Sequence, residues 1–239
     1  MNSPKSLART AGALYLLVAV FGGFAQGFVE PTMYVVGDAA ATEGNLVGKT
    51  GLVSLGVVAD LVNQVVFVFL ALTLYSLLGH VHRSAARAMV VLVALAAGIS
   101  ALNAVFEFAG LRVATGAVDM SPLGAEGSKS IVLLLLDTQH YGLLVGQIFF
   151  GLWLVPLGYL AHKSGWFPKP LAVFLMVAAG CYLVDVLTAF LTPDLNQLIH
   201  VFIFIPVTVA EVWMAGYLLT IGVNTKKTVK RDQPVLAGV

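Results

Sequence analysis

The sequence predicts an all-α polytopic integral membrane protein built as a six-transmembrane-helix bundle. Of its 239 residues, 59% are hydrophobic and 10% are charged, whereas an ordinary soluble domain is about 25% charged. The mean hydropathy of +0.93 leaves too little polar surface to cover a water-soluble globule. The net charge of +1 lacks the basic excess of a nucleic-acid binder. We therefore expect the lipid bilayer, and no nucleic acid, as the partner of this chain.

Six continuous apolar stretches are each long enough to cross a hydrocarbon core of about 30 Å at about 1.5 Å per residue. They must be helices, because backbone polar groups in lipid need partners within their own segment. The predicted spans are residues 10–29, 51–79, 88–111, 131–161, 170–192 and 195–222. We expect one transmembrane domain over residues 1–222 and a basic cytoplasmic tail over residues 223–239.

The first stretch shares features with a secretory signal peptide, since Lys5 and Arg9 precede its apolar run. The run is long and ends without an A-x-A cleavage site, which favours an uncleaved helix.

The basic residues indicate the orientation of the chain. With the N-terminus in the cytoplasm, the inner segments would hold ten of the thirteen basic residues: Lys5, Arg9, Arg83, Arg87, Lys163, Lys169, Lys226, Lys227, Lys230 and Arg231. The positive-inside rule then predicts that both termini are cytoplasmic. Glu30 and five other acids fall in the predicted outer loops.

Polar residues interrupt five of the six spans at helical spacing. They are Asp60, Asn63 and Gln64 in the second, Asn103 and Glu107 in the third, Asp137, His140 and Gln147 in the fourth, Asp185 in the fifth, and His200 and Glu211 in the sixth. A charge near the bilayer centre costs about 2.5–3.5 kcal/mol, so we expect these side chains to face the bundle interior. Counted along the helices at about 1.5 Å per residue, the acids and histidines of this set fall in the outer half, except Glu211, which lies near or just past the midplane.

The leading hypothesis is a polar cavity in the outer half of the bilayer that binds a small ligand or cation, for transport or sensing. Five intramembrane acids face two histidines, with no Lys or Arg in the predicted core, so neutrality requires protons or an external cation. The candidate ligand-binding residues are Asp60, Asn63, Asn103, Glu107, His140, Asp185, His200 and Glu211. His140 would be the proton-responsive member, because imidazole titrates near neutrality.

Two alternatives remain open. The first is an intramembrane metal-dependent, hydrolase-like enzyme with Asp60, Asp137, His140 and Asp185 as ligands of zinc, iron or manganese and a bound water as nucleophile. No recognised metal-ligand spacing supports it. The second is a structural or assembly subunit whose polar groups join helices, at about 0.6 kcal/mol for each hydrogen bond.

The second and third spans also resemble the fourth and fifth. His82 and Arg83 correspond to His162 and Lys163, and the same offset places Asp60 on His140. This pattern predicts a parallel repeat, an arrangement found in some transporters; chance similarity between apolar helices explains it equally well.

Several short segments together resemble a known family. They are RTAGALYLL at 9–17, GDAAAT at 37–42, AD at 59–60, HYG at 140–142, FFGL at 149–152, LGYL at 157–160, GWFP at 165–168, YLVD at 182–185 and AE at 210–211. The chain resembles the bacterial membrane proteins grouped as domain of unknown function 4386. The resemblance implies a multi-span bacterial membrane protein and assigns no catalytic role to any residue. We expect the protein in the bacterial cytoplasmic membrane.

Overall fold

A computed structural model describes residues 3–224. Across these residues the chain is helical and contains no strand, which confirms the all-α prediction. Most of the predicted basic tail, including Lys226 and Arg231, lies outside the described residues.

The secondary structure consists of long helices with short connections. The elements are α1 (Pro4–Gly22), a π-helical turn (Gly23–Val29), α2 (Glu30–Met33), α3 (Ala39–Gly48), α4 (Thr50–Leu78), α5 (Arg83–Ala114), a 3-10 turn (Ser121–Leu123), α6 (Gly124–Leu152), α7 (Leu154–Ser164), α8 (Lys169–Leu191) and α9 (Pro193–Thr220).

The described residues contain six segments that are long and apolar enough to cross a membrane. They are Pro4–Met33, Thr50–Leu78, Arg83–Ala114, Ser121–Ser164, Lys169–Leu191 and Pro193–Thr220. Each overlaps one predicted span, so the protein is a multi-pass membrane protein. Many large apolar side chains on these helices, such as Leu198 and Phe202, are exposed, as expected for surfaces that face lipid rather than water.

The chain divides into two compact units, and four helices contribute residues to both. Unit 1 comprises Met1–Tyr15, Phe69–Ala94 and Gln147–Val239, and unit 2 comprises Leu16–Val68 and Leu95–Gly146. The single transmembrane domain that the sequence suggests stays a prediction.

Unit 1 depends on close approaches of helices at glycines. A Cβ atom on Gly12 would lie 2.6 Å from the backbone nitrogen of Leu219, and one on Gly158 would lie 2.8 Å from the carbonyl oxygen of Ala172. Such contacts are typical of membrane helices, whose association depends on packing because lipid provides little hydrophobic driving force. Trp153 is buried and meets Tyr15 edge to face at 5.8 Å.

Unit 2 has an apolar core at the end of the first membrane segment. Val29 and Met33 are fully buried in it. Its other buried members are Leu46, Val53, Leu111, Val113, Val132 and Leu136. This core fixes the backbone on either side of Glu30, the residue on which the site described below depends.

Candidate functional site

A π-helical turn shapes the first part of the site. It covers Gly23–Val29, and the N–H of Glu30 donates to the carbonyl oxygen of Ala25, five residues back. The extra residue in each turn changes the direction of the side chains that follow, and such turns are frequent at functional sites. Gln26 lies within the turn and Glu30 follows it directly, so the two side chains belong to the same local distortion.

Asp60 is the buried carboxylate that this turn meets. Its Oδ1 accepts hydrogen bonds from the Nε2 atoms of Gln26, at 3.2 Å, and Gln64, at 3.0 Å. Gln64 follows Asp60 by one turn of α4, so the helix itself presents this donor. Both of these hydrogen bonds are made to the same carboxylate oxygen, Oδ1.

Asp60 lines a small cavity within unit 2 that is rich in polar groups. The polar residues around it are Gln26, Glu30, Asp60, Asn103, Glu107 and Gln139. Three of them are acids, and no Lys or Arg is among the described residues that line the cavity. Its free space suits about one water-sized particle.

Two amides at this cavity have buried polar atoms without hydrogen bonds. Asn103 and Gln139 each expose only 4% of their surface. Within residues 3–224, Nδ2 of Asn103 and Oε1 of Gln139 have no partner. A buried polar atom without a partner costs about 1–3 kcal/mol, so both amides are suited to contact an occupant of the cavity.

Glu30 is both part of the cavity and part of a pair that reaches the surface. Nδ1 of His140 lies 3.2 Å from Oε1 of Glu30. Four residues after Glu30, the hydroxyl of Tyr34 donates to Asp137. Glu30 and Tyr34 are one helical turn apart, as are Asp137 and His140 on α6, so the two pairs form side by side.

Tyr34 lies just beyond the first membrane segment, and its surroundings favour a neutral phenol. Burial is the main cause that raises the pKa of Tyr34 far above its ordinary value of 10.0, and the hydrogen bond to Asp137 adds to this effect. Tyr34 therefore acts as a hydrogen-bond donor to Asp137 through the physiological pH range.

A second polar cluster, in unit 1, surrounds Asp185. The fully buried carboxylate accepts from Nε2 of Gln147 at 2.7 Å and from Nδ2 of Asn196 at 3.0 Å. Nδ1 of His200 lies 2.7 Å from its Oδ1. Both oxygens of Asp185 thus have partners, which come from α6 and α9.

Glu211 belongs to a third group, also in unit 1. The hydroxyl of Tyr182 donates to its Oε1 at 3.1 Å, which joins α8 to α9. The hydroxyl of Tyr15 is buried and has no hydrogen-bond partner among the described residues.

The predicted ligand-binding residues are therefore distributed over both units. Three of them, Asp60, Asn103 and Glu107, line the cavity of unit 2. Asn63 is buried in the same unit beside Gly22, and His140 binds Glu30. The remaining three, Asp185, His200 and Glu211, belong to unit 1.

Three polar residues of the cavity were not among the sequence-based candidates. Gln26 and Glu30 lie at the end of the first membrane segment, which extends through Met33 rather than ending at residue 29. Glu30 therefore belongs to this helical segment. The sequence did contain a pattern that points to them: Gln26 and Glu30 are four residues apart at the end of an apolar helix, which places them on the same face. The third residue, Gln139, directly precedes His140.

The described residues do not group the four predicted metal ligands together. Residues 3–224 contain no group of three or more His, Cys, Asp or Glu side chains that could hold a metal ion. Of the four predicted ligands, Asp137 accepts from Tyr34, His140 pairs with Glu30, and Asp60 accepts from two amides. Asp185 belongs to the other unit, where amides and His200 occupy both of its oxygens.

The family model described as domain of unknown function (DUF4386) matches residues 10–222. The chain belongs to this family. The resemblance drawn from the short sequence segments is thereby confirmed, and every residue of the cavity lies inside the matched range of this DUF4386 member.

One relative adds a short region of similarity. An uncharacterized protein from Archaeoglobus fulgidus is 43% identical to the DUF4386 chain over 54 residues, which are 22% of this chain. The match covers 33% of the relative, so the chain spans about a third of that relative's length. No solved structure matches the chain.

Proposed function

We propose that the protein binds a small cation in the acidic cavity of unit 2, as part of transport or sensing at the membrane. The observation that carries this proposal is that Glu30, Asp60 and Glu107 line one small cavity without a basic residue among the described lining residues. Ionised acids in a membrane protein need compensating positive charge. A bound cation supplies that charge at the site itself.

The size and chemistry of the cavity support a cation rather than an organic ligand. Pockets for drug-sized molecules enclose about 300–1,000 Å³, whereas this cavity suits about one water-sized particle. The described acids do not form a joint set of three metal ligands, so a bound cation would contact them together with amide oxygens such as the unpartnered Oε1 of Gln139. Oxygen atoms are the preferred ligands of hard cations.

The side of the membrane that the cavity serves is part of the same proposal. The distribution of Lys and Arg supports cytoplasmic termini, with the protein in the bacterial cytoplasmic membrane. On this orientation, the cavity lies in the outer half of the bilayer and exchanges its cation with the extracytoplasmic side.

A structural function is favoured for the cluster around Asp185. Its carboxylate oxygens are both hydrogen-bonded, by groups from α6 and α9. We assign this cluster to joining three helices of unit 1, the assembly role that the sequence left open. The metal-dependent enzyme hypothesis has no supporting group of ligands in the described chain.

Thermal unfolding of the purified protein in detergent tests cation binding. LiCl, NaCl and KCl are each titrated against choline chloride at constant ionic strength. A cation that binds only the folded state raises the Tm as its concentration increases. At one hundred times its Kd, the free energy of unfolding rises by about 2.7 kcal/mol.

Two variants and a control make this test specific. Glu107→Gln and Asp60→Asn are expected to abolish the rise in Tm. Glu126→Gln removes an exposed acid outside the cavity and is expected to keep it. If no alkali cation raises the Tm of the wild type more than choline does, the proposal is wrong, and protons balance the acids instead.

A further inference from the structure

We propose that His140 controls access to the cation cavity by holding Glu30 at its mouth, the side of the cavity that Glu30 lines. This inference rests on the proposed function and deepens it. His140 is a positioning residue here, because it acts on the cavity through Glu30 and is not itself among the lining residues.

Glu30 connects the cavity to the exposed surface of unit 2. Of the three acids that line the cavity, Asp60 and Glu107 are buried and Glu30 is half-buried. The side chain of its partner His140 is 36% exposed, against 17% for Glu30. Exposure thus increases from the buried acids to Glu30 and then to His140.

The backbone that carries Glu30 is fixed, so any opening must come from side chains. Val29 and Met33 are fully buried in the apolar core of unit 2. Nζ of Lys49 donates to the carbonyl oxygen of Thr32 at 2.7 Å, and Tyr34 donates to Asp137. Rotation of Glu30 away from His140 requires none of these contacts to break.

His140 is held close to the cavity by its own helix. Gln139 directly precedes it and Leu143 follows it by three residues, and both line the cavity. The His140 ring also packs against the Tyr34 ring, with centroids 5.3 Å apart. Helix α6 therefore holds the imidazole of His140 against the end of the first membrane segment, where it keeps Glu30 in one position.

Carbodiimide labelling measures this access. Dicyclohexylcarbodiimide reacts with protonated carboxyl groups in apolar surroundings, and mass spectrometry of peptides gives the labelling rate of Glu107. The reaction is run in choline chloride without alkali cations. We expect His140→Ala to raise this rate about two- to fivefold, as for loss of a partly exposed ion pair.

Two further variants separate access from general damage. His140→Gln keeps an amide that can donate to Glu30 and should retain the wild-type rate. His200→Ala removes the other half-exposed histidine that pairs with an acid and should also leave the rate unchanged. Melting curves identify any variant that fails to fold.

The outcomes distinguish this inference from the proposed function. Equal labelling rates in the wild type and His140→Ala, or equal acceleration in His140→Ala and His140→Gln, would overturn access control. No label on Glu107 in His140→Ala, at a concentration that labels the unfolded protein, also overturns it. If alkali cations fail to protect Glu107 while His140→Ala still accelerates labelling, cation binding is wrong and access control stands.

Discussion

Gln26 of the π-helical turn and Asp60 of α4 share a hydrogen bond of 3.2 Å, although 34 residues separate them in the sequence. This contact brings the first membrane segment to one of the three acids that line the cavity. It also gives the distorted turn a role, since Gln26 lies within it. The cavity thus depends on a local helix irregularity as well as on its acids.

Loss of the Gln26 amide should destabilise the protein through Asp60. We expect Gln26→Leu to lower the free energy of unfolding by about 1–3 kcal/mol, because a buried acceptor loses a donor. Unfolding in mixed micelles with SDS measures the change. In an Asp60→Leu background, Gln26→Leu should lower the free energy of unfolding by clearly less. Equal losses in both backgrounds would contradict the contact between Gln26 and Asp60.

The side chain of Asn103 should leave no room for a side chain at position 142, where the chain has glycine. A Cβ atom at Gly142 would overlap Oδ1 of Asn103, so Gly142→Ala should cost about 1–3 kcal/mol in stability through overpacking. It should also weaken the cation response, because Asn103 lines the cavity.

Gly146, one turn later on the same helix, is the matched control. Its nearest neighbour, Cγ2 of Ile99, is 3.4 Å from the Cβ position. Alanine there should be neutral or stabilising, since it replaces a poor helix former. Equal losses in both alanine variants would show that helix packing, and not Asn103, limits position 142.

The stability of the protein should fall in alkali because of Tyr34. The pKa of Tyr34 in the folded state is raised above 10.0, first by burial and then by its bond to Asp137. The folded state therefore holds the phenol proton more tightly than the unfolded state does. This contribution is complete below about pH 10 and is lost as the pH rises toward the folded-state pKa.

Tyr34→Phe should show a smaller loss of stability above pH 10 than the wild type. Absorbance at 295 nm measures tyrosinate. In the variant it should show one tyrosine fewer that ionises above pH 10. If the alkaline decline is the same in both proteins, another group causes it.

Asp185 should matter for stability and not for the cation response. Asp185→Leu leaves the donors of Gln147 and Asn196 without their buried acceptor, and each buried donor without a partner costs about 1–3 kcal/mol. His200→Ala should cost less, because its side chain is 50% exposed. A changed cation response in a folded Asp185→Asn variant would argue against a purely structural cluster.

The membrane architecture could be predicted from sequence because it depends on composition and helix length. Each predicted span overlaps one membrane-spanning segment, and the acids at Asp60 and Glu107 are buried as their cost in lipid requires. The predicted first span ends at residue 29 because a hydropathy pattern ends at a charged residue, here Glu30. The structure continues the helix past it through the π-helical turn, with Met33 buried beyond.

The grouping of the polar residues was decided only by tertiary contacts. Periodicity places Asp60, Asp185 and Glu211 on polar faces of their own helices, but it carries no information on which helices meet. In the structure, Asp60 lines a cavity, whereas the amides of Gln147 and Asn196 donate hydrogen bonds to the two carboxylate oxygens of Asp185. It also joins Glu30 to His140, 110 residues away. The sequence by itself determined how many helices cross the membrane and which acids had to be shielded; helix packing decided which of those acids share a cavity.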